Sequence, residues 1–388
     1  MISAQTEADV IDAVLAARAK NRTLEILGAG TKRAYGRPTS CDDALDVSAL
    51  RGIVKYEPAE LILTVLPGTP IAEITALLDL KNQRLGFEPA DWAALFGRPA
   101  GTSTIGGVLS ADANGAAAIR YGRARDSLLG VRAVNGFAES YKAGGKVVKN
   151  VTGFDLPKLM CGAMGTLGVL TEVTLRVYPK PPQSASLIVR DVSVEEGFAL
   201  LRRVWQSPLE VTALAYIPAS MPLTQLGYVG EGAALIRLEG AHEPLREKIA
   251  ALLAIAPSAQ QIEASNIFGA ISDGAIFAGQ SCDLWRVSVP PSEAAGIVRQ
   301  TGSSIFAADW AGGALWIGLE AGGNGEELRV LCENAGGQAT LVKADEEIRQ
   351  RVAPFTLEPP ARRALTKAVK AAFDPQNIFN PGRMWKAV

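Results

Sequence analysis

The sequence predicts an α+β protein with two domains and a C-terminal segment. Its 388 residues are 48% hydrophobic and 20% charged, which is enough apolar material for more than one core and too little charge for disorder. Helical and strand patterns mix along the chain, and the order strand–helix–strand–strand–helix–strand occurs twice in the second half. A proline-rich run at 178–182 separates the halves, so we expect domains at 1–182 and 183–345 and a C-terminal segment at 346–388 that returns to the first domain.

The first half opens with a helix after Thr6, since an acid three residues later, Asp9, completes a capping box. Thr69 and Pro70 predict a second helix to about Leu80, with Thr69 as the cap and Pro70 in the first helical position. Strands are predicted at 23–27, 45–47, 53–56, 61–66 and 167–177.

One further pair of strands, 128–134 and 138–141, flanks Asn135-Gly136. This dipeptide is typical of a two-residue type I′ turn, because both of its central positions need a positive φ. A β-hairpin is therefore expected at this point.

The second half repeats a split βαβ unit. Its first helix starts with the capping box Ser193–Glu196, and Phe306, Trp310 and Trp316 have the spacing of sheet-core residues on strands. Two such units predict helices on one face of an antiparallel sheet, which is a ferredoxin-like arrangement. A last helix is expected at 360–373. The expected strands are 187–191, 211–217, 234–239, 260–263, 284–289, 304–308, 314–319 and 339–343, and the helices between them are 193–205, 242–254, 291–301 and 324–335.

Charge and rare residues exclude several classes of function. Lys and Arg total 39 against 40 Asp and Glu, so nothing suggests a nucleic-acid-binding protein. The four cysteines lie far apart, which favours a reduced, cytosolic protein. His242 is the one histidine in the chain, so no metal site is expected and a Ser-His-Asp triad would depend on it alone. We expect His242 at the surface, near the start of a helix.

No membrane segment is predicted. Residues 1–22 are charged and helical in pattern, unlike a secretory signal, and the long uncharged run 211–230 is interrupted by two prolines. The sequence therefore indicates a cytoplasmic protein that could meet a membrane through partner subunits.

Three glycine-rich segments, 28–33, 102–115 and 162–172, stand out in the first half. The first follows a strand but is not a Rossmann fingerprint, since Arg33 occupies the place of the third glycine, and no Walker A loop occurs. A large ligand with a pyrophosphate needs several close approaches to the backbone, which side chains would obstruct. The three segments together predict such a ligand.

These segments resemble the FAD-binding domain of the vanillyl-alcohol oxidase/p-cresol methylhydroxylase (PCMH) superfamily. The ending Asp374-Pro…Asn380-Pro-Gly-Arg383 is similar to its D-lactate and glycolate dehydrogenase branch. The motifs 86–91, 149–156 and 306–312 look most like the FAD-binding E subunits of bacterial glycolate oxidases. The resemblance covers essentially the whole chain. It implies a PCMH-type FAD-binding domain of two α+β subdomains, followed by a ferredoxin-like antiparallel cap domain.

The resemblance also implies which residues contact FAD. The segment 28–33 would wrap the pyrophosphate, the second segment would lie along the cofactor near the flavin, and the third would contact adenine and ribose. No His lies in this domain, and Cys41 and Cys161 stand outside the customary linkage positions, so non-covalent FAD is expected. The implied residues are Gly28, Ala29, Gly30, Thr31, Lys32, Arg33, Pro67, Gly68, Thr102, Thr104, Ile105, Gly106, Gly107, Ala111, Asn114, Gly115, Gly165, Gly168 and Val169.

The resemblance implies three alternative functions. In the first, the chain is the FAD-binding subunit of a glycolate oxidase that works with a catalytic flavin subunit and an iron–sulfur subunit on glycolate or D-lactate. In the second, it is a self-standing dehydrogenase of a 2-hydroxy acid, and in the third a structural partner. Such dehydrogenases typically use histidines of the substrate domain as metal ligands and base. His242 does not match that pattern, so the catalytic residues stay unknown. Lys32 and Arg33 are either phosphate partners or a solvated loop tip, and the basic stretch 120–126 faces either a carboxylate substrate or acids of the protein.

Overall fold

The computed structural model describes residues 1–145, 153–221, 232–263, 266–323 and 325–386. The chain forms two compact units. The first contains Met1–Asn114, Gly122–Pro179 and Leu357–Val388, and the second contains Gly115–Tyr121 and Lys180–Thr356. The first unit is therefore built from both ends of the chain. The motif 149–156 lies partly outside the described residues, and so does the start of the helix expected at 324–335.

The described residues of the first unit form three small sheets. A parallel sheet has the order β1-β3-β2, and an antiparallel sheet has the order β4-β5-β9-β7-β8, while β6 pairs with β10. The strands are β1 Ile2–Ser3, β2 Leu24–Leu27, β3 Asp43–Asp46, β4 Ile53–Glu57, β5 Ile62–Val65, β6 Gln83–Arg84, β7 Leu128–Val134, β8 Ser140–Gly144, β9 Val169–Arg176 and β10 Tyr178–Pro179.

The first helix of this unit confirms its predicted cap. The Thr6 hydroxyl accepts from the Asp9 amide at 3.2 Å, and the Asp9 carboxylate accepts from the Thr6 amide at 2.8 Å. Its buried Val14 belongs to the same core as Leu24 of β2 and Phe379 near the C-terminus. The helices are Glu7–Ala19, Ile71–Asp79, Ile105–Ala111, Ala124–Ser127, Leu156–Met160 and Pro360–Phe373, with 3-10 turns at Pro58–Glu60 and Ala94–Phe96.

The start of the helix Ile71–Asp79 lies one residue later than predicted. Pro70 is its N-cap, and the Thr69 side chain caps nothing. The Thr69 hydroxyl instead donates to the carbonyl of Leu66 at 2.7 Å and accepts from the amide of Gly52 at 2.9 Å. The prediction of Thr69 as the cap was wrong because this hydroxyl fixes the turn after β5.

The prediction of a type I′ turn at Asn135-Gly136 was also wrong, although the hairpin β7–β8 is present. The connection is five residues long, and neither Asn135 nor Gly136 has a positive φ, whereas Ala138 has φ 63°. The Asn135 side chain accepts from the amides of Phe137 and Glu139, so it organises a longer loop. Because Gly136 has no side chain, the C-terminal segment packs directly against its backbone.

The second unit confirms the duplicated ferredoxin-like sheet. All neighbouring strands are antiparallel, in the order β14-β11-β13-β12-β16-β17-β15-β18. Each half has the strand order fourth-first-third-second, and the halves meet where Tyr216 pairs with Ala308. The strands are β11 Gln183–Val189, β12 Ala213–Ile217, β13 Ala233–Gly240, β14 Gln260–Ile262, β15 Cys282–Ser288, β16 Phe306–Asp309, β17 Ala314–Glu320 and β18 Gln338–Lys343.

Alternate strand residues and the helices form the core of this unit. Leu187, Ile236, Trp285 and Ile317 of the sheet pack with Leu201 and further helix residues. The capping box of Ser193 and Glu196 is present. The helices are Ala118–Tyr121, Val194–Trp205, His242–Ile255, Ile267–Ser272, Ala294–Thr301, Glu326–Asn334 and Glu346–Arg351, with 3-10 turns at Ala275–Phe277 and Trp310–Gly312.

The prediction for the three aromatic residues was right for two of them. Phe306 is 3% exposed and Trp316 is fully buried, both on strands. Trp310 lies instead in the turn after β16, with φ 53°, and its indole N–H donates to the carbonyl of Gly115 at 3.1 Å. The alternation of apolar residues predicts the strand, but it does not show that the residues directly after β16 adopt a left-handed backbone conformation.

Candidate cofactor-binding site

One groove of the first unit brings the three glycine-rich segments together. The loop after β2 forms one wall, the helix Ile105–Ala111 a second, and the segment before β9 a third. The predicted residues that line it are Gly28, Ala29, Gly30, Thr31, Lys32, Arg33, Pro67, Thr104, Gly106, Gly107, Ala111, Gly165, Gly168 and Val169.

The loop after β2 offers a run of unused backbone donors. Among the described residues, nothing accepts a hydrogen bond from the amides of Gly28, Ala29, Gly30 and Thr31. Gly30 has φ 69°, and a Cβ built on it meets no atom within 4 Å in the part of the chain that the structure describes, so this backbone faces open space there. Consecutive free amides in a left-handed turn form a concavity that binds anions. The donor set therefore fits a pyrophosphate.

Glycines let the walls of the groove approach one another. A Cβ on Gly28 would lie 2.8 Å from the Thr104 hydroxyl, and a Cβ on Gly106 would lie 2.7 Å from Pro67. The Gly106 amide donates to the carbonyl of Pro67 at 2.8 Å. Among the described residues, a Cβ on Gly107 would meet only the Thr104 hydroxyl, at 3.3 Å. The second segment thus contributes close packing and room for a ligand.

Two cations of the first loop are held by the protein. Lys32 is 8% exposed, and its ammonium donates to the Ser103 hydroxyl at 2.9 Å, which in turn donates to Asp91 at 2.5 Å. Arg33 forms a bidentate pair with Glu25 at 2.9 and 2.6 Å, and these hydrogen bonds raise the pKa of its guanidinium. The loop is therefore fixed at its base, and the alternative of a solvated tip does not describe Lys32.

Five of the implied residues lie outside the groove lining. Gly68 packs on the turn after β3, where a Cβ would come within 2.6 Å of the carbonyls of Val47 and Ser48. Thr102 is exposed, and its hydroxyl donates to Pro99. Ile105 points into the core and is fully buried.

The last two of these five follow the helix Ile105–Ala111. The Asn114 amide side chain donates to the carbonyl of Asp112 at 2.6 Å and accepts from the amide of Ala124 at 2.5 Å. Gly115 belongs to the second unit, where its carbonyl accepts from Trp310. The side chain of Asn114 is therefore committed to local structure.

The structure adds residues to the groove that the sequence left unassigned. Asn380 and Arg383 reach it from the C-terminal segment and are not among the residues that the resemblance implies for FAD. Ser103 stands between two assigned threonines and links Lys32 to Asp91. The apolar residues among those added cannot be recognised in the sequence, because they resemble ordinary core residues of strands and helices. The added lining residues are Ile26, Leu27, Val47, Ser110, Met164, Leu170, Asn380 and Arg383.

The basic stretch 120–126 pairs with acids of the protein. Arg120 contacts Glu210 at 2.5 Å in the second unit, and Arg123 contacts Asp112 at 2.6 Å in the first. The Cys161 thiol also faces Asp112, at 3.6 Å, and burial raises its pKa. Cys161 is thus a poor nucleophile, and two of the arginines are neutralised rather than poised for a substrate.

His242 lies at the surface, as predicted. It is the first residue of the helix His242–Ile255, its side chain is 68% exposed, and its ring lies 3.8 Å from Glu243. The described part of the chain holds no group of three His, Cys, Asp or Glu residues arranged for a metal ion. Within the same residues, no helix is both long and apolar enough to span a bilayer.

Comparison with known proteins identifies the fold. Residues 1–143 match the FAD binding domain family and residues 356–384 match the C-terminal domain of FAD linked oxidases. The chain is 32% identical to the glycolate oxidase subunit GlcE of Escherichia coli over 93% of this chain and 92% of that one. It is 25% identical to the glycolate oxidase subunit GlcD of Bacillus subtilis over 92% and 83%. A structure of p-cresol methylhydroxylase with bound substrate superposes with a TM-score of 0.74 at 17% identity, over 98% and 88% of the two chains.

Proposed function

Because the chain belongs to the FAD-linked oxidase family, we propose that it holds FAD without a covalent bond and serves as the FAD-binding subunit of a glycolate oxidase complex. As a family member it is an FAD-linked oxidoreductase whose relatives act on hydroxy acids. In the proposed complex, glycolate or D-lactate is oxidised to the 2-oxo acid on a partner subunit, and FAD held by this chain would pass the electrons on.

One observation carries the cofactor part of the proposal: the free amides of residues 28–31 face a groove whose other walls are glycine-rich. Backbone donors hold a pyrophosphate without a change of side-chain conformation. The Lys32 ammonium lies at the base of the loop next to those amides, whereas the charge of Arg33 is balanced by Glu25. The groove residues thus bind and orient the cofactor, and the small side chains leave space for it.

The role of a subunit, rather than of a self-standing dehydrogenase, is supported by the position of the histidine. A general base must reach the hydroxyl proton of the substrate. His242 lies exposed on a helix of the second unit and hydrogen-bonds through its ring to Gln183 at 3.3 Å. We therefore propose that substrate oxidation takes place on a catalytic flavin subunit, with an iron–sulfur subunit receiving the electrons. The complex is proposed to be cytoplasmic, with any membrane contact made by the partners.

The experiment starts with the chain expressed without partners. Its visible spectrum should show about one flavin per chain, and denaturation should release all of it as free FAD. A folded sample that takes up no added FAD would contradict the cofactor assignment, and flavin that stays on the denatured chain would contradict non-covalent binding.

A second measurement separates the proposed roles. The isolated FAD-loaded chain should not reduce a dye acceptor with glycolate or D-lactate, whereas a tagged chain should copurify with a second flavin subunit and a cysteine-rich subunit. Turnover by the isolated chain would instead establish the self-standing dehydrogenase.

A further inference from the structure

The C-terminal segment, defined here as residues 374–383, reaches two of the glycine-rich walls of the groove. We propose that Asn380 and Arg383 of this segment are positioning residues for FAD, so that docking of the segment and binding of FAD are thermodynamically coupled. The inference rests on the proposed FAD site and adds to it two residues that the resemblance does not imply for FAD.

Asn380 joins the first and third walls of the groove. It is 4% exposed, its side-chain oxygen accepts from the amide of Ile26 at 3.0 Å, and its side-chain nitrogen donates to the carbonyl of Met164 at 2.8 Å. Ile26 leads directly into the free amides of the first loop, and Met164 precedes Gly165. A Cβ on Gly165 would lie 2.9 Å from the Asn380 side chain, so these walls are held at contact distance.

Arg383 fixes the base of the first loop. Its guanidinium donates to the carbonyls of Lys32 and Arg33 at 3.1 and 2.7 Å, and its side chain is 9% exposed. The same group lies 3.9 Å from Glu25, which also pairs with Arg33. Because these two carbonyls accept hydrogen bonds from Arg383, the backbone amides of residues 28–31 face the groove. Arg383 therefore orients donors that a ligand would use.

A buried ion pair anchors the segment. The Lys370 ammonium contacts Asp374 at 2.6 Å and donates to the carbonyls of Thr166 and Phe379 at 2.6 and 3.1 Å. Asp374 accepts from the amides of Ile378 and Phe379. Since Thr166 belongs to the third wall, the helix that precedes the segment is tied to the same wall as Asn380.

Coupling follows from these contacts. If the segment undocks, Ile26, Met164 and the loop carbonyls lose their partners, and the amides of residues 28–31 are no longer fixed. FAD therefore binds the docked form more tightly than the undocked form. By linkage, bound FAD raises the equilibrium constant for docking by the same factor as docking raises the affinity for FAD.

The test uses two variants with matched controls in the full-length chain. Asn380→Gly removes the side chain, and glycine adopts the backbone φ of 43° at this position without strain. Asn377→Gly is its control. Asn377 is exposed, has φ 52° and has no side-chain hydrogen bond to a described residue. Arg383→Met removes the guanidinium, and the exposed Arg362, which has no ion pair within the described chain, supplies the control Arg362→Met.

Each variant, freed of flavin, is titrated with FAD, and its melting temperature is measured with and without FAD. We expect both test variants to raise the Kd for FAD by about tenfold or more, and the controls to change it by no more than about twofold. The rise in melting temperature on adding FAD should shrink in the test variants. A merely structural role would lower both melting temperatures equally and leave Kd unchanged, which would overturn the proposal.

The wild-type chain supplies a test that needs no variant. Saturating FAD should slow hydrogen exchange at the amides of Ile378, Phe379 and Asn380, relative to amides of β17 in the second unit, and unchanged exchange would overturn the coupling. If the wild-type chain binds no FAD at all, the proposed function fails as well. If it binds FAD and the variants bind equally well, only the role of the segment is refuted.

Discussion

The backbone of Gly136 lies directly against Asp374. A Cβ at Gly136 would come within 2.6 Å of the Asp374 carboxylate, and the Gly136 amide donates to the carbonyl of Phe373 at 2.8 Å. A glycine that the sequence indicated as half of a hairpin turn thus allows the end of the chain to pack on the loop between β7 and β8.

Replacing this glycine should loosen the first unit. We expect Gly136→Ala to lower the free energy of unfolding by about 1–3 kcal/mol, since the new methyl group overlaps an anchored segment. Chemical denaturation measures the change. Gly145→Ala is the control, because a Cβ there meets no atom of the described residues within 4 Å. Equal stability of the two variants would show that the loop and Asp374 are not in contact.

Gly107→Glu should abolish retention of FAD while leaving the fold intact. The position lies in the groove wall, and a glutamate would place bulk and negative charge on the path of an anionic cofactor. Absorbance of flavin per chain after desalting measures retention. Gly107→Ala serves as the control, since its Cβ meets only the Thr104 hydroxyl, at 3.3 Å. An unchanged flavin content in Gly107→Glu would refute the assignment of this groove.

His242→Gln should leave turnover of the assembled complex within about twofold of wild type, as expected for an exposed position. The measurement is glycolate oxidation with a dye acceptor by the copurified complex. Loss of a general base would cost at least about 10²-fold. A decrease of that size would place this histidine in the reaction and favour the self-standing dehydrogenase.

Ser193→Ala should destabilise the second unit by about 1 kcal/mol at neutral pH, as expected for loss of an N-cap. Hydrogen bonds from Ser193 lower the pKa of the Glu196 carboxyl, so its ionised form is favoured in the folded state. This stabilisation is fully present above the ordinary glutamate pKa of about 4.3 and is lost as the pH falls through the lowered folded value.

The difference in free energy of unfolding between wild type and Ser193→Ala should therefore be smaller in acid. Denaturation at pH 7 and at about pH 3 measures it. Ser292→Ala is the control, because Ser292 is exposed and, among the described residues, its hydroxyl hydrogen-bonds only to the adjacent Glu293, at 3.0 Å. A constant difference between pH 7 and acid would mean that the Glu196 carboxyl does not take part in the cap.

Much of the local structure follows from short-range signals. The caps at Thr6 and Ser193, the strands of both repeats and the three glycine-rich segments are visible in the sequence because each depends on neighbours within a few residues. The errors at Thr69, Asn135-Gly136 and Trp310 share one feature, which is a hydrogen bond to a residue distant in sequence. The partners are the amide of Gly52, the carbonyl of Phe373 and the carbonyl of Gly115, and such tertiary contacts override the local pattern.

The sequence by itself determined the α+β class, the repeated split βαβ units and the presence of a large-ligand site rich in backbone donors. Only the tertiary structure decided which glycines line the groove, that Gly68, Ile105 and Asn114 lie outside this lining, and that Asn380 and Arg383 belong to it. Periodicity and capping report contacts between near neighbours in the chain. A hydrogen bond such as that from Arg383 to the carbonyl of Lys32 joins residues 351 positions apart and exists only once both ends of the chain are folded together.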